Sequence, residues 1–508
     1  MQSPSPPERF KITALNKPWL LFSCLLILAC SLRLYRLDWQ SLTDDEQFSL
    51  VTTSGTLESL NHSLVSDFVH PPLHSYLLHY WMIILGYGEV SARLMSVIAG
   101  IAAVAATYVL AKYLFDFSTG LLAAFLMAIS QLGVYYSQLA RDYALAIFLT
   151  AICIALWVRA VETQSARLWW MFTAASILLL YTHYYSVTVF AALVIWAVLY
   201  RKSDPVPIRR WIASAVVVLV AFVPWLASGV IKAAEHHGTK LVSGDPRAAV
   251  HWFSPISTLN WFNNGKWDGF GERGPLWTYL GGAILFLLPA LLTLLPRPAA
   301  GTRLLSMQAQ KSKVVLLVQL SLLPVLLPIA AGALFGIQYQ VRYTVFALVP
   351  YYILVARGIT LLRWRWLRLC LVLCIALYSA PALWADYFIP LSPDYQNATA
   401  YVAEHYRPGD CIVFAPGEKI LPPFYWKAYY PQEPAVKPVS LEDAMAPQTA
   451  CTRVWLLWDG LWWKNPPSAA ADREKTMNLL STRLQPVMSR DFFDFWVRLY
   501  EPLAESRP

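Results

Sequence analysis

DFVHPPLHSYLLHYW (67–81) decides the topology of this chain, because the apolar stretch opening at Pro72 either crosses a bilayer or stays on one side of it. From Pro72 to Leu85 a helix would measure roughly 21 Å, short of the roughly 30 Å of hydrocarbon that a span must cover. Were it to cross, every later loop would change sides and the most basic loops would face outward. The segment is therefore expected to lie along the outer interface and to return the chain to Arg93 on the side it left. Pro72 suits the first turn of such a helix, where a missing N–H costs nothing.

The surrounding composition is that of a polytopic membrane protein. Of 508 residues, 57% are hydrophobic and only 14% charged, against a usual quarter of charged residues in soluble proteins. The 22 Trp and 27 Tyr suit the aromatic belts of membrane interfaces. The net charge of +9 does not indicate nucleic acid, since the basic residues sit in short loops between apolar segments. Apolar stretches at 18–34, 92–114, 119–138, 142–161, 168–182, 185–200, 211–230, 277–295, 314–336, 341–359 and 366–386 predict about eleven transmembrane helices. THYYS supplies a tight turn between the two short ones at 168–200. The first, preceded by Arg9, Lys11 and Lys17 and lacking a small-residue cleavage site, reads as a retained signal anchor.

With a cytoplasmic segment at 1–17, the inside loops hold RKSDPVPIRR (201–210), then Arg297, Arg303, Lys311 and Lys313, then Arg357, Arg363, Arg365 and Arg368. The outside loops hold Asp44, Asp45 and Glu46, then Asp67 and Glu89, then a mixed-charge loop at about 232–276. That alternation obeys the positive-inside rule. Transmembrane residues 18–386, with a first exterior loop at 35–91, give way at 387–508 to a soluble α/β domain. Its short β-like runs DCIVFAP and RVWLLWDG lie among helical patterns (NATAYVAEHY, SLEDAMA, REKTMNLLSTRL). An odd number of helices puts this domain outside with the acids, where Cys411 and Cys451 are able to pair. The other five cysteines fall in apolar spans and read as small hydrophobes.

Three adjacent acids in SLTDDEQFSL (41–50) repel one another and raise at least one pKa unless a cation or metal neutralises them. Close to the membrane surface, a carboxylate there is able to take a proton from an acceptor hydroxyl. His70, ahead of Pro71 and Pro72, is a candidate metal ligand or phosphate donor; His74 and His79 follow at a spacing that matches no metal motif. YYSQLARDYAL (135–145) puts Arg141, Asp142 and Tyr143 at an outer helix junction, and Arg342 and His183 stand at two others. Arginine outside opposes the charge rule, so snorkelling competes with pairing to a phosphate diester. Asp67 lies in the same outer set. Such a mixture fits an anionic lipid-linked substrate. A flippase or transporter for such a lipid is the alternative, although transporters place ionisable groups near the midplane of repeated halves, and no repeat is visible.

Taken together, the DE pair after the first helix, HPPL, Arg93-Leu94, YSQLARDYAL, THY and the late RY resemble the GT-C glycosyltransferases. The likeness is to bacterial members related to families 39 and 83, which include protein mannosyltransferases and the aminoarabinose transferase of lipid A. It covers about residues 18–385. The resemblance implies an inner-membrane enzyme that moves a hexose or pentose, with inversion, from a polyprenyl-phosphate donor to a glycan, lipid or protein acceptor on the extracytoplasmic face. It implies Asp45 as the base, Glu46 beside it and Asp44 as an extra acid. Arg141 and Arg342 would neutralise the donor phosphate, with His70, His183, Tyr143 and Asp67 as further contacts. A divalent metal, if one takes part, would sit on Asp45 and His70. The lipid A enzyme carries an acid two residues before its Pro-Pro, where this chain has Val69. Some relatives read Arg-Pro-Asp where it has Arg141-Asp142-Tyr143.

Overall fold

The computed structural model of the chain describes residues 17–68, 70–200, 206–235, 250–251, 253–265, 276–295, 304–337, 339–415, 425–426, 439–445, 451–459 and 467–503. Arg9, Lys11, Val69, the loop start 201–205, Arg297, Arg303 and most of 232–276 lie outside the described residues.

The first helix, α1 (Lys17–Leu34), leads into the segment expected to be exterior, built of three short helices: α2 (Asp44–Thr53), α3 (Leu57–Asp67) and α4 (Leu73–Leu85). The HPPL stretch is thus a 13-residue helix, with Pro72 at its N-cap and Gly86 closing it. Its buried side carries His74, Leu78, His79 and Met82, while Leu77, Tyr80, Ile83 and Ile84 lie exposed on the other. An apolar face left open beside a polar, packed one suits an interfacial helix, not a span.

The bundle continues with α5 (Glu89–Leu114), α6 (Phe117–Ile129), α7 (Gln131–Ser137), α8 (Tyr143–Thr163), α9 (Ala166–Thr182), α10 (Val187–Tyr200) and α11 (Ile208–Glu235). After α12 (Ser254–Asn264), α13 (Leu276–Gly282) and α14 (Leu288–Leu292) come α15 (Leu304–Phe335), α16 (Leu348–Thr360) and α17 (Arg365–Phe388). Among the described residues, six helices are long and apolar enough to cross a membrane, and a seventh counts if α6 and α7 form one bent span. Three shorter apolar helices, Pro18–Leu34, Tyr184–Tyr200 and Leu276–Leu292, account for most of the difference from the eleven expected. The chain is a multi-pass membrane protein. Its core joins α5, α6, α8, α10, α15 and α16. The residues at the α5 contacts are small, and helices in lipid associate by such close packing: a Cβ on Gly100 would collide with the Ser137 hydroxyl.

The stretch 119–138, read from sequence as a single span, is instead two helices meeting at 61°. Ser130 leaves helical geometry (φ −60°, ψ 116°), and its hydroxyl accepts the Gly133 N–H at 3.1 Å. A break in hydrocarbon strands backbone carbonyls, which must find donors. Arg33, fully buried in the last turn of α1, supplies them: it donates to Met127 O and Ala128 O, both at 3.1 Å, and to Ser137 Oγ at 3.1 Å. THYYS is the turn expected, a 3-10 segment (Tyr184–Ser186) between α9 and α10.

After α17 the chain forms α18 (Tyr395–His405), α19 (Leu441–Met445), α20 (Pro467–Ser481) and one four-stranded sheet. Strands β1 (Asp410–Ala415) and β2 (Arg453–Asp459) pair in parallel; β3 (Leu484–Phe492) and β4 (Phe495–Pro502) form an antiparallel hairpin, in the order β1-β2-β4-β3. Cys411 and Cys451 are joined by a disulfide beside the β1–β2 pair. This domain is not a separate bead. Tyr395, Val402, Tyr425, Trp455 and Phe495 share a core with Leu42, Leu50, Leu78 and Met82 of the exterior segment.

Candidate functional site

Everything at the candidate site follows from the start of α2. Thr43 caps that helix: its hydroxyl accepts the Glu46 N–H, and the Glu46 carboxylate accepts the Thr43 N–H at 2.9 Å. This capping box fixes the helix phase, and acids in a first turn are favoured by the helix dipole. Successive helical residues differ in direction by about 100°, so the three adjacent acids part company.

Asp45 turns to a cluster of cations. Its carboxylate pairs with Arg342, at the head of the 3-10 segment Val341–Ala347 that leads into α16. Arg141, from the junction of α7 and α8, donates to the Asp45 carbonyl at 3.0 Å and to Ser49 Oγ at 2.9 Å, while its other arm meets His70 Nε2 at 2.8 Å. Burial tends to raise the Asp45 pKa, but Arg141 and Arg342 outweigh it and hold the carboxyl below its ordinary value. The sequence expectation that crowded acids raise a pKa thus meets its stated exception, a neutralising cation. The side chain remains 46% exposed, so it is open to an incoming molecule.

His70 is positioned by an unusual turn. Phe68 closes α3 in the left-handed region (φ 45°), a costly conformation for an aromatic residue. It is held there by its ring, stacked on Trp225 at 5.2 Å, and by its carbonyl, which accepts from the Tyr184 hydroxyl at 3.2 Å. The turn brings Asp67 Oδ2 to 3.5 Å from His70 Nδ1. Asp67, His70, His74, Arg141 and Asp142 then line one small pocket.

Of four other expected site residues, Glu46 and Asp44 turn away from this cluster, and His183 and Tyr143 are buried next to it. Glu46 faces inward, fully buried, with both oxygens engaged: Arg93 donates at 2.8 and 3.1 Å and the Ala140 N–H at 3.0 Å. It is a strut, since Arg93 also donates to the carbonyls of Leu37 and Gln40 at 2.8 and 2.9 Å and so pins the exterior loop to α5. Asp44 is exposed on the side of the C-terminal domain, close enough to Tyr395 for its charge to bear on that phenol. His183 is 6% exposed, ringed by Tyr143, Tyr185, Tyr343 and Phe346, and its Nδ1 accepts the Tyr185 N–H. Burial lowers its pKa to about 4, so at neutral pH it is an uncharged turn residue shut off from the opening. Tyr143 is likewise buried, its ring tilted against those of Tyr136 and His183.

Asp45 and His70 do not fit a metal. His70 Nε2 faces the Arg141 guanidinium and Nδ1 lies 3.5 Å from Asp67 Oδ2, while the Asp45 carboxylate faces Arg342. Among the described residues no group of three or more His, Cys, Asp or Glu gathers to hold an ion. The sequence reading passed over Arg33 and named Arg93, within Arg93-Leu94, without giving it a role. Their signal was available: each is an arginine at the end of an apolar helix that the charge pattern expects to face outward, against the charge rule.

Residues 69–227 match the family model for dolichyl-phosphate-mannose-protein mannosyltransferase. No curated protein matches the chain by sequence. Among solved structures, ArnT from Cupriavidus metallidurans bound to undecaprenyl phosphate superposes with a TM-score of 0.59 at 13% identity, over 97% of this chain and 99% of that one. The chain has the GT-C fold. A second GT-C structure, the archaeal oligosaccharyltransferase AglB from Archaeoglobus fulgidus in complex with an inhibitory peptide and a dolichol-phosphate, gives a TM-score of 0.53 at 12% identity, over 97% of this chain and 75% of that one. In this fold, Asp45, Arg141, Arg342, His70 and Asp67 are drawn together from four distant stretches of sequence.

Proposed function

We propose that the chain is an inverting glycosyltransferase of the inner membrane, moving a sugar from a polyprenyl-phosphate donor to an acceptor on the extracytoplasmic face. The observation that carries this reading is the part-exposed Asp45 carboxylate paired with Arg342 and flanked by Arg141. The two similar structures, which hold undecaprenyl phosphate and a dolichol-phosphate, support the donor class. The Cys411–Cys451 disulfide supports an oxidising compartment for the C-terminal domain.

The arrangement suggests how donor and base are coupled. With no donor present, Arg342 keeps Asp45 a poor base. A donor phosphate competes for the two guanidinium groups, and each one drawn away lets the carboxylate regain basicity. Asp45 then takes the acceptor hydroxyl proton as the oxygen attacks the anomeric carbon from the face opposite the phosphate. The bond from that carbon to the phosphate oxygen breaks, and the bonding pair leaves with the lipid phosphate. The arginines meet the added negative charge.

Asp45→Asn tests this directly. Transfer from a polyprenyl-phosphate sugar should fall by about a hundredfold or more, while expression and binding of the donor lipid persist. Turnover near the wild-type level in that variant removes the assignment.

A further inference from the structure

Two residues past the end of α1, Arg36 stands in the loop expected to be exterior, where the charge rule disfavours arginine. Arg33, Arg93, Arg141 and Arg342 spend their guanidinium groups on carbonyls, carboxylates or hydroxyls. Arg36 does not. Its guanidinium lies over two aromatic faces, 4.0 Å from the Trp39 ring centre and 4.9 Å from that of Phe388, and among the described residues it makes no ion pair or hydrogen bond. Asp38, two residues on, is exposed and leaves it unclaimed. The backbone is bent to put the cation there: Arg36 is in the left-handed region (φ 53°), a strain that persists only where neighbours over-determine it. Here they do. Gln138 donates to the Arg33 and Tyr35 carbonyls at 3.1 and 2.9 Å, the Trp39 N–H donates to the Arg36 carbonyl at 3.1 Å, and Gln40 donates to the Ile389 carbonyl just beyond α17 at 3.0 Å.

We propose that Arg36, framed by Trp39 and Phe388, binds the phosphate of an anionic membrane phospholipid lying against the ends of α1 and α17. Stacking uses the face of a guanidinium and leaves its N–H edge free, the edge that pairs with a phosphate through two parallel hydrogen bonds. Leu34, Tyr35, Trp384 and Phe388 are exposed, with the Tyr35 and Trp384 rings against Phe388, which makes an aromatic border of the kind at which helices leave a bilayer. A lipid with its phosphate on Arg36 lays its acyl chains along that border. A headgroup that carries its own ammonium is the poorer ligand, because this second cation competes with Arg36 for the phosphate and for the rings. The site shares no residue with the Asp45 cluster and stands whether or not the chain transfers sugar.

The test is native mass spectrometry and thermal unfolding of the purified full chain in detergent, with added phosphatidylglycerol, phosphatidylcholine or inorganic phosphate. The wild type should bind phosphatidylglycerol about tenfold tighter than phosphatidylcholine, the size expected of hydrogen bonds to a charged group, and should melt at a higher temperature with it. Inorganic phosphate at the same concentration should do neither. Arg36→Gln should lose most of the preference between the two lipids. Should that variant fail to fold, Arg36→Asn replaces it, because asparagine tolerates the left-handed turn. It should melt near the wild type without lipid and gain little from phosphatidylglycerol. An equal response of the wild type to the two lipids overturns the site, as does a preference that survives in either folded variant. Full reproduction of the effect by inorganic phosphate overturns the lipid as ligand and leaves a free-anion site.

Discussion

Asp45 stays ionised because Arg141 and Arg342 overcome the burial that would raise its pKa. The sign of its pH dependence follows. A depressed carboxylate contributes to stability fully above its ordinary value of 3.8, and the contribution is lost as pH falls through the lower folded value. In turnover, the acid limb of kcat/KM set by this group should lie below the ordinary aspartate range. Arg342→Gln removes one of the two cations, so the Asp45 pKa rises and the acid limb moves to higher pH, while donor affinity falls. A pH profile of the variant checks this, and a limb that stays put or moves to lower pH contradicts the pairing. Glu46, one position on, has no such freedom: it is fully buried against Arg93, and its charge is spent on holding the loop. Adjacent acids thus have unrelated roles because a helix turns them apart.

At the scale of elements, the exterior segment depends on ends and breaks more than on long helices. The capping box at Thr43 sets the direction of all three acids. The bend between α6 and α7 leads the chain through α7 to the loop that carries Arg141, and Arg33 is the donor that makes the bend tolerable in lipid. Arg33→Met would leave the Met127 and Ala128 carbonyls without that donor in an apolar setting, at a cost of about 2 kcal/mol or more. The expected outcome is loss of monodisperse protein on extraction, or a markedly lower melting temperature in detergent. An Arg33→Met protein as stable as wild type would show that the break is satisfied some other way.

Over the whole molecule, the C-terminal domain is bolted to the segment that carries Asp45. The Leu42 N–H donates to the Tyr425 hydroxyl at 2.6 Å, and the Gln396 N–H donates to Ser41 Oγ at 3.2 Å. Gln40 both donates to Ile389 O at 3.0 Å and accepts the Leu391 N–H at 2.9 Å. Shared apolar burial of Leu42, Leu50 and Leu78 with Tyr395 and Trp455 makes the attachment a core, not a loose contact. Truncation after Phe388 should therefore loosen α2. Limited proteolysis checks this: the exterior segment at 35–67 should be cut much faster in the truncated protein than in the full chain. Equal protection would mean that α2 is held from the membrane side alone, through Glu46 and Arg93.

Local physics made much of this legible. Run length against bilayer thickness identified the helices and kept the 72–85 segment from being counted as a span, and charge asymmetry placed the acids and the odd arginines at one end. β1 and β2 were visible as apolar runs between turn residues; β3, whose side chains are mostly exposed, was not, and β4 went unread although its residues alternate between buried and half-buried. The α6–α7 break escaped because an apolar run is uninterrupted in composition, and only the positions of Arg33 and Ser130 in space mark it. The sequence by itself determined that acids, arginines and a histidine belong to one membrane face, since hydrophobicity and charge act on each segment separately. Only the tertiary structure decided which acid meets which cation, because that depends on helix phase and on contacts between residues up to 297 positions apart.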